Sequence, residues 1–266
     1  MNRKGATCAM SNIVGRAAAA FAMCAIALSV TNAGAATTAQ LAAAPAGPTP
    51  VMVQQGGQAL RTAKLADLGR EVASPAVRHI SNWAVHSGNH GGLPFAVVDK
   101  VDGRLFVFDA QGRLRGTSAV LVGAATGDET VPGIGSRQIS SIRPEERTTP
   151  AGRFEARMGV GPKGEDILWV DYENAVALHR VVTGVPQERR LQRLASNVAL
   201  DRRITYGCIN VPVSFYDAVV KPTFAAAGGV VYILPEQRRP QELFGSYEVA
   251  EPADLHSTAL QPVNLH

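Results

Sequence analysis

Hydrophobic positions along this chain fall into three textures. Residues 17–30, AAAAFAMCAIALSV, form an uncharged apolar run. Residues 36–60 are rich in Ala, Gln, Gly and Pro, carry no charge and show no helical period, which reads as a flexible linker. Residues 61–92 place Leu65, Leu68, Val72, Val77, Ile80 and Val85 among charges at roughly helical spacing. They predict a short helical lead-in interrupted at Ser74-Pro75. From Leu93 the pattern becomes short apolar runs between turn residues. Strands are predicted at 95–100, 105–109 and 117–123, joined by Asp102-Gly103 and Gln111-Gly112 as an antiparallel meander. Further strands are predicted at 154–158, 167–172, 175–179 and 229–234. Residues 124–149 hold Gly, Pro, Ser and charges and predict a long loop, a kind that is often functional. Residues 187–203 predict a helix with Leu191, Leu194, Val198 and Leu200 on one side. Residues 212–220 predict a second one, opened by Pro212 and ended by Lys221-Pro222. Residues 236–266 read as a loose polar tail. The expected fold class is mainly β with minor α, its folded domain spanning residues 93–235.

Composition and charge change the picture at the N-terminus. The chain has 266 residues, 46% hydrophobic, with a formal charge of +4. That length buries a full core without staples, and the basic excess invites a nucleic-acid reading. Residues 1–35, however, read as a secretory signal peptide. Arg3, Lys4 and Arg16 precede or abut the apolar run, which is short of the roughly 20 residues a membrane helix needs, and Ala33-Gly34-Ala35 offers a cleavage pattern. Cleavage leaves 23 basic against 22 acidic residues, a net of +1. The expectation is therefore a periplasmic or cell-envelope protein with no nucleic-acid partner and no membrane span after cleavage. Cys8 and Cys24 leave with the signal, and Cys208 remains as a single thiol with no internal disulfide partner.

Cys208 follows Gly207 just before the second predicted helix, where a glycine lets the backbone turn tightly and backbone N–H groups near a helix start stabilise a thiolate or an oxyanion. His179 ends a predicted strand, with 28 residues between it and Cys208. Such a position suits a general base. The residues alone leave two readings open, a cysteine–histidine pair or a buried thiol beside a structural histidine. His86 and His90 have no cysteine or acidic partner at ligand spacing, so no metal is expected, and nothing points to an organic cofactor.

The ordered set of short motifs resembles the L,D-transpeptidases of the YkuD type. Their signature is a histidine, a spacer, then Ser/Thr-His-Gly-Cys, a hydrophobic residue and Asn or Arg. Here His179 precedes Thr205-Tyr206-Gly207-Cys208-Ile209-Asn210, and Thr149-Pro150-Ala151-Gly152-Arg153-Phe154 is similar to the family's Thr-Pro-x-Gly-x-Phe element. The resemblance covers residues 93–235. It implies a β-sandwich with a short helix after the nucleophile, Cys208 as nucleophile, and His179 as base oriented by the backbone carbonyl of Arg180. It further implies an oxyanion hole from Gly207 and Cys208 with Tyr206, and contacts to substrate from Thr205, Asn210, Tyr172 and Trp169. The implied partner is the peptidoglycan stem peptide, cross-linked 3→3 through a thioester. With water as acceptor the same site is an L,D-carboxypeptidase; with Cys208 inert it is a peptidoglycan-binding homologue. Papain-like cysteine peptidases place Cys before His, the reverse of the order here. Three departures stand out. Tyr206 replaces the usual histidine, Arg180 replaces a common glycine, and the spacer is lengthened by an insertion within an arginine-rich 180–203 segment. Those arginines read either as a solvated face or as contacts to substrate carboxylates. Oligomeric state is left open.

Overall fold

A computed structural model describes residues 64–250. The signal-peptide and linker readings, and the end of the tail, lie outside the described residues. Helix α1 spans Pro75–Ser87 and begins where the sequence pattern placed an interruption. Proline suits a first helical position, since its missing N–H is an orphan there anyway. Ser74 caps the helix, its Oγ accepting from the Val77 N–H at 3.3 Å and donating to Asp99 Oδ2 at 2.6 Å. Residues 64–74 are not helical.

The strands are β1 (Phe95–Asp99), β2 (Arg104–Phe108), β3 (Leu114–Ala119), β4 (Val122–Gly123), β5 (Gly152–Val160), β6 (Asp166–Asp171), β7 (Val176–Arg180), β8 (Arg203–Thr205), β9 (Ile209–Val211) and β10 (Gly229–Ile233). Eight of them form one sheet in the order β3-β2-β1-β10-β5-β6-β7-β9, while β4 and β8 pair separately. The predicted meander is β1-β2-β3, antiparallel throughout, whereas β1–β10 and β7–β9 are parallel. Long β5 is the corner. Residues 152–156 of it pair with β10 and residues 157–160 with β6. The two halves of the sheet therefore face each other across one core, as in a sandwich.

That core alternates with strand parity. Ala96, Val98, Leu105, Val107, Val231 and Ile233 from one half meet Leu168, Val170, Leu178, Ile209 and Val211 from the other. The intervening residues Phe95, Val97, Phe106, Phe108, Val230 and Tyr232 bury against Val77, Ile80, Trp83 and Ala84 of α1. Helical residues 213–224 cover the first core with Tyr216, Val220 and Phe224, all fully buried. The sequence pattern ended this helix at Lys221-Pro222. Instead it runs as Val213–Phe215 (α3), a π turn over Tyr216–Val220, and Lys221–Phe224 (α4). In a regular helix the Pro222 ring meets the carbonyl four residues back. The wider π turn just before it accommodates the ring, and the helix continues.

Two further expectations fail. The predicted amphipathic helix over 187–203 reduces to α2 (Arg190–Ala195) flanked by 3-10 turns. Leu194 is buried, but Leu191, Val198 and Leu200 are exposed at 59, 57 and 71%. The tail is not loose as far as residue 250. Asp128 accepts the backbone N–H groups of Glu236, Gln237 and Arg238, α5 spans Pro240–Phe244, and Phe244 and Val249 pack onto the α1 layer. Burial pushes the Asp128 carboxyl up, but these N–H groups and the Lys100 ammonium outweigh it and hold it below its ordinary value. The Lys100 side chain is fully buried and also donates to the carbonyls of Gly127 and Thr149. Among the described residues no helix is long and apolar enough to cross a membrane.

Candidate active site

Cys208 stands at the end of a tight turn between β8 and β9. Gly207 has φ +134°, and a Cβ there would lie 2.9 Å from the Thr148 carbonyl oxygen, so only glycine fits. The Thr205 hydroxyl closes the turn by donating to the Cys208 carbonyl at 2.6 Å, and the Gly207 N–H donates to that hydroxyl at 3.2 Å. Thr149 ties the turn to the long loop: its hydroxyl accepts from the Gly123 N–H and donates to the Gly207 carbonyl, both at 2.8 Å. The helix expected from Pro212 is present, but the unpredicted strand β9 (Ile209–Val211) separates Cys208 from its start.

His179 and Asn210 are register partners in the parallel β7–β9 ladder. Their flanking residues Leu178, Ile209 and Val211 point into the core, which puts His179 and Asn210 on the opposite face. His179 Nδ1 lies 2.8 Å from the Arg180 carbonyl, the contact expected from the resemblance. A carbonyl only accepts, so Nδ1 carries the proton and Nε2 is the free base. Nε2 lies 3.1 Å from Asn210 Nδ2, which donates to it. The Asn210 amide is oriented in turn by Arg190, whose Nη1 donates to Oδ1 at 2.7 Å while its Nε donates to Glu188 Oε2 at 2.5 Å. Cys208 is half-buried, and its thiol donates to the Ala175 carbonyl at 3.6 Å. It stands one residue before β9, the strand paired with the one that carries His179.

Burial pushes the Cys208 thiol up, against the Ala177 backbone N–H and the Arg190 charge, which pull it down. Burial also pushes the His179 imidazole down; the Arg180 carbonyl and Glu165 oppose this, and Arg190 adds to it. Both shifts favour a neutral thiol beside a neutral imidazole at rest.

The remaining predicted residues divide. Thr205 is 2% exposed and Asn210 fully buried. Both hold the site's shape rather than facing a cleft, as their expected contacts to substrate required. Tyr206 is half-buried with the Arg147 guanidinium 4.1 Å above its ring. The Arg180 side chain clamps β7 to β6 and the π turn, bonding Asp166 and Asp217 and lying 4.2 Å over the Tyr216 ring. Trp169 lies over Gly159 and meets Tyr172 edge-on at 5.0 Å, with Tyr172 68% exposed. The arginines divide. Arg189 is exposed, as a solvated face would have it, whereas Arg190, Arg193, Arg202 and Arg203 donate to partners within the fold. Thr149, Arg190 and Arg147 were not singled out from sequence as site residues. Thr149 lies within a quoted motif, and Arg190 within the noted basic run. His90 is buried with its ring nitrogens facing the carbonyls of Ala84 and Ala110. No cluster of three potential metal ligands occurs among the described residues.

Comparison with family models and with curated proteins finds no match. Among solved structures, the chain is similar to the catalytic domain of an L,D-transpeptidase from E. faecium. The identity is 16% over 53% of this chain and 95% of that one, with a TM-score of 0.29.

Proposed function

We propose that this protein is an exported cysteine acyltransferase, an L,D-transpeptidase that forms 3→3 cross-links between peptidoglycan stem peptides. One observation carries the reading. The His179 ring is held with Nδ1–H on the Arg180 carbonyl, which leaves Nε2 as the basic nitrogen on the strand that pairs with the one directly following Cys208. A nucleophile and its base need to be carried on adjoining elements in this way. In the first step Cys208 rotates from the Ala175 carbonyl toward the imidazole, displaces the Asn210 N–H from Nε2, and gives its proton to Nε2. Sulfur attacks the carbonyl carbon of the diamino acid at position three, and the backbone N–H groups of Cys208 and Tyr206 hold the oxyanion, that of Gly207 being engaged by Thr205 Oγ1. The C–N bond breaks, and His179 returns the proton to the departing D-Ala amine. An amine from a second stem then attacks the thioester, its proton passing to His179 and on to the released thiolate. The signal-like segment at residues 1–35 supports export to where this substrate lies.

The test is digestion analysis of sacculi treated with the protein, alongside mass spectrometry after incubation with a carbapenem. New 3→3 dimers and a covalent adduct on Cys208, lost in Cys208→Ala, are expected. Tripeptide products without dimers would replace the transferase by a carboxypeptidase. Folded protein that binds sacculi with neither products nor adduct would overturn the enzyme reading.

A further inference from the structure

Arg190 belongs to the insertion within the arginine-rich 180–203 segment, outside every motif quoted for the site. Its side chain is 13% exposed and fixed at both ends, by Glu188 at Nε and by the Asn210 amide oxygen at Nη1. A guanidinium has donors only. Asn210 is therefore compelled to turn Oδ1 toward Arg190 and Nδ2 toward His179. An N–H facing Nε2 is compatible with a lone pair there and incompatible with a second N–H. The Arg180 carbonyl makes the complementary demand at Nδ1. The four groups together admit one state of the ring, neutral with the proton on Nδ1.

We propose that Arg190 is a positioning residue which, through Asn210, holds His179 as the neutral Nδ1–H tautomer and so makes the insertion a working part of the site. This rests on the acyltransferase reading for its consequence, and on the ring geometry alone for its substance. The other charged group acting on His179 is Glu165, from the turn before β6. Glu165 favours the protonated ring and Arg190 opposes it, so the two have opposite signs. Without Arg190 the Asn210 amide is free to flip and offer Oδ1 to Nε2–H. Both ring nitrogens then face acceptors, and the imidazolium becomes the favoured form.

The experiment is long-range ¹⁵N NMR of the imidazoles as a function of pH, on wild type, Arg190→Ala and Arg190→Lys, with the pH profile of acyl transfer measured beside it. In wild type, Nε2 should remain unprotonated to below the ordinary histidine range. In Arg190→Ala the His179 midpoint should rise by about half a pH unit or more, and the acidic limb of activity should move with it. Arg190→Lys, which keeps a charge and a donor, should return the midpoint most of the way. If Arg190→Ala loses its cooperative melt, Arg190→Met, which keeps the apolar stem and has no donor, supplies the same comparison. A folded variant with the wild-type tautomer and midpoint overturns the proposal, whatever its activity. The expected ring titration in a wild type that transfers no acyl group would instead leave the proposal standing and overturn the acyltransferase reading.

Discussion

The half of the sheet built from β1, β2 and β10 and the half built from β6, β7 and β9 share one core and differ in their outer faces. In the first, the outward positions are as apolar as the inward ones. Phe95 stacks on Phe108 at 4.6 Å and meets Tyr232 edge-on at 6.1 Å, all beneath α1. In the second, the inward positions are apolar while the outward ones carry Trp169, His179 and Asn210. Strand alternation lets one set of residues serve packing while the other is free for chemistry. The first half is a rigid floor, and the second places titratable groups on a backbone whose register the core enforces.

Four substitutions sharpen or break that contrast. The largest effect belongs to the second half. His179→Gln should lower kcat by about 10²- to 10⁴-fold while leaving the thermal midpoint close to that of wild type. In wild type the acidic limb of kcat/KM should fall below the ordinary histidine value of 6.5, because burial lowers the imidazole's pKa and activity returns as pH rises through it. A limb above that value would contradict the neutral resting base. In the first half, Phe95→Ala should cost about 3–5 kcal/mol of stability by denaturant melt, with kcat per folded molecule unchanged. A fall in kcat there would mean that the two halves are not separable. Thr149→Val probes the link between loop and site. Losing its two hydrogen bonds should cost about 1–3 kcal/mol, and a greater loss in kcat than in stability would locate its role at the Gly207-Cys208 turn. Smallest of all, Leu191→Ser should stay within about 0.5 kcal/mol of wild type, since the side chain is exposed; a larger loss would restore the amphipathic helix.

Strand positions were legible wherever local alternation and turn chemistry agreed. Asp102-Gly103 and Gln111-Gly112 fall at turns of the meander, and every strand of five or more residues was expected within a few residues of its ends. The short strands β8 and β9 were not, and β4 was not separated from the strand expected over 117–123, because two or three residues carry no period to read. Their existence depends on partners distant in sequence, such as Leu178 opposite Ile209. The helix over 187–203 failed for a related reason. Its spacing was right, but the surface it needed to bury against is taken up by guanidinium contacts to main-chain oxygens. Residues 236–250 were read as loose because they are polar, yet their N–H groups are held by the buried carboxylate of Asp128. Polarity predicts solvent exposure only when no buried partner exists.

At the site, sequence alone determined the chemical types available: one thiol beside a glycine that must turn, and one histidine at a strand end. These are local properties, set by a residue and its immediate neighbours. Only the tertiary structure decided that Asn210 bonds the imidazole, that Thr149 holds the turn, and that an arginine from the insertion orients the amide. Hydrogen bonds across 20 to 58 residues of chain depend on register and on which faces of the sheet are left uncovered. No local pattern encodes either one, because both are settled when the whole core closes.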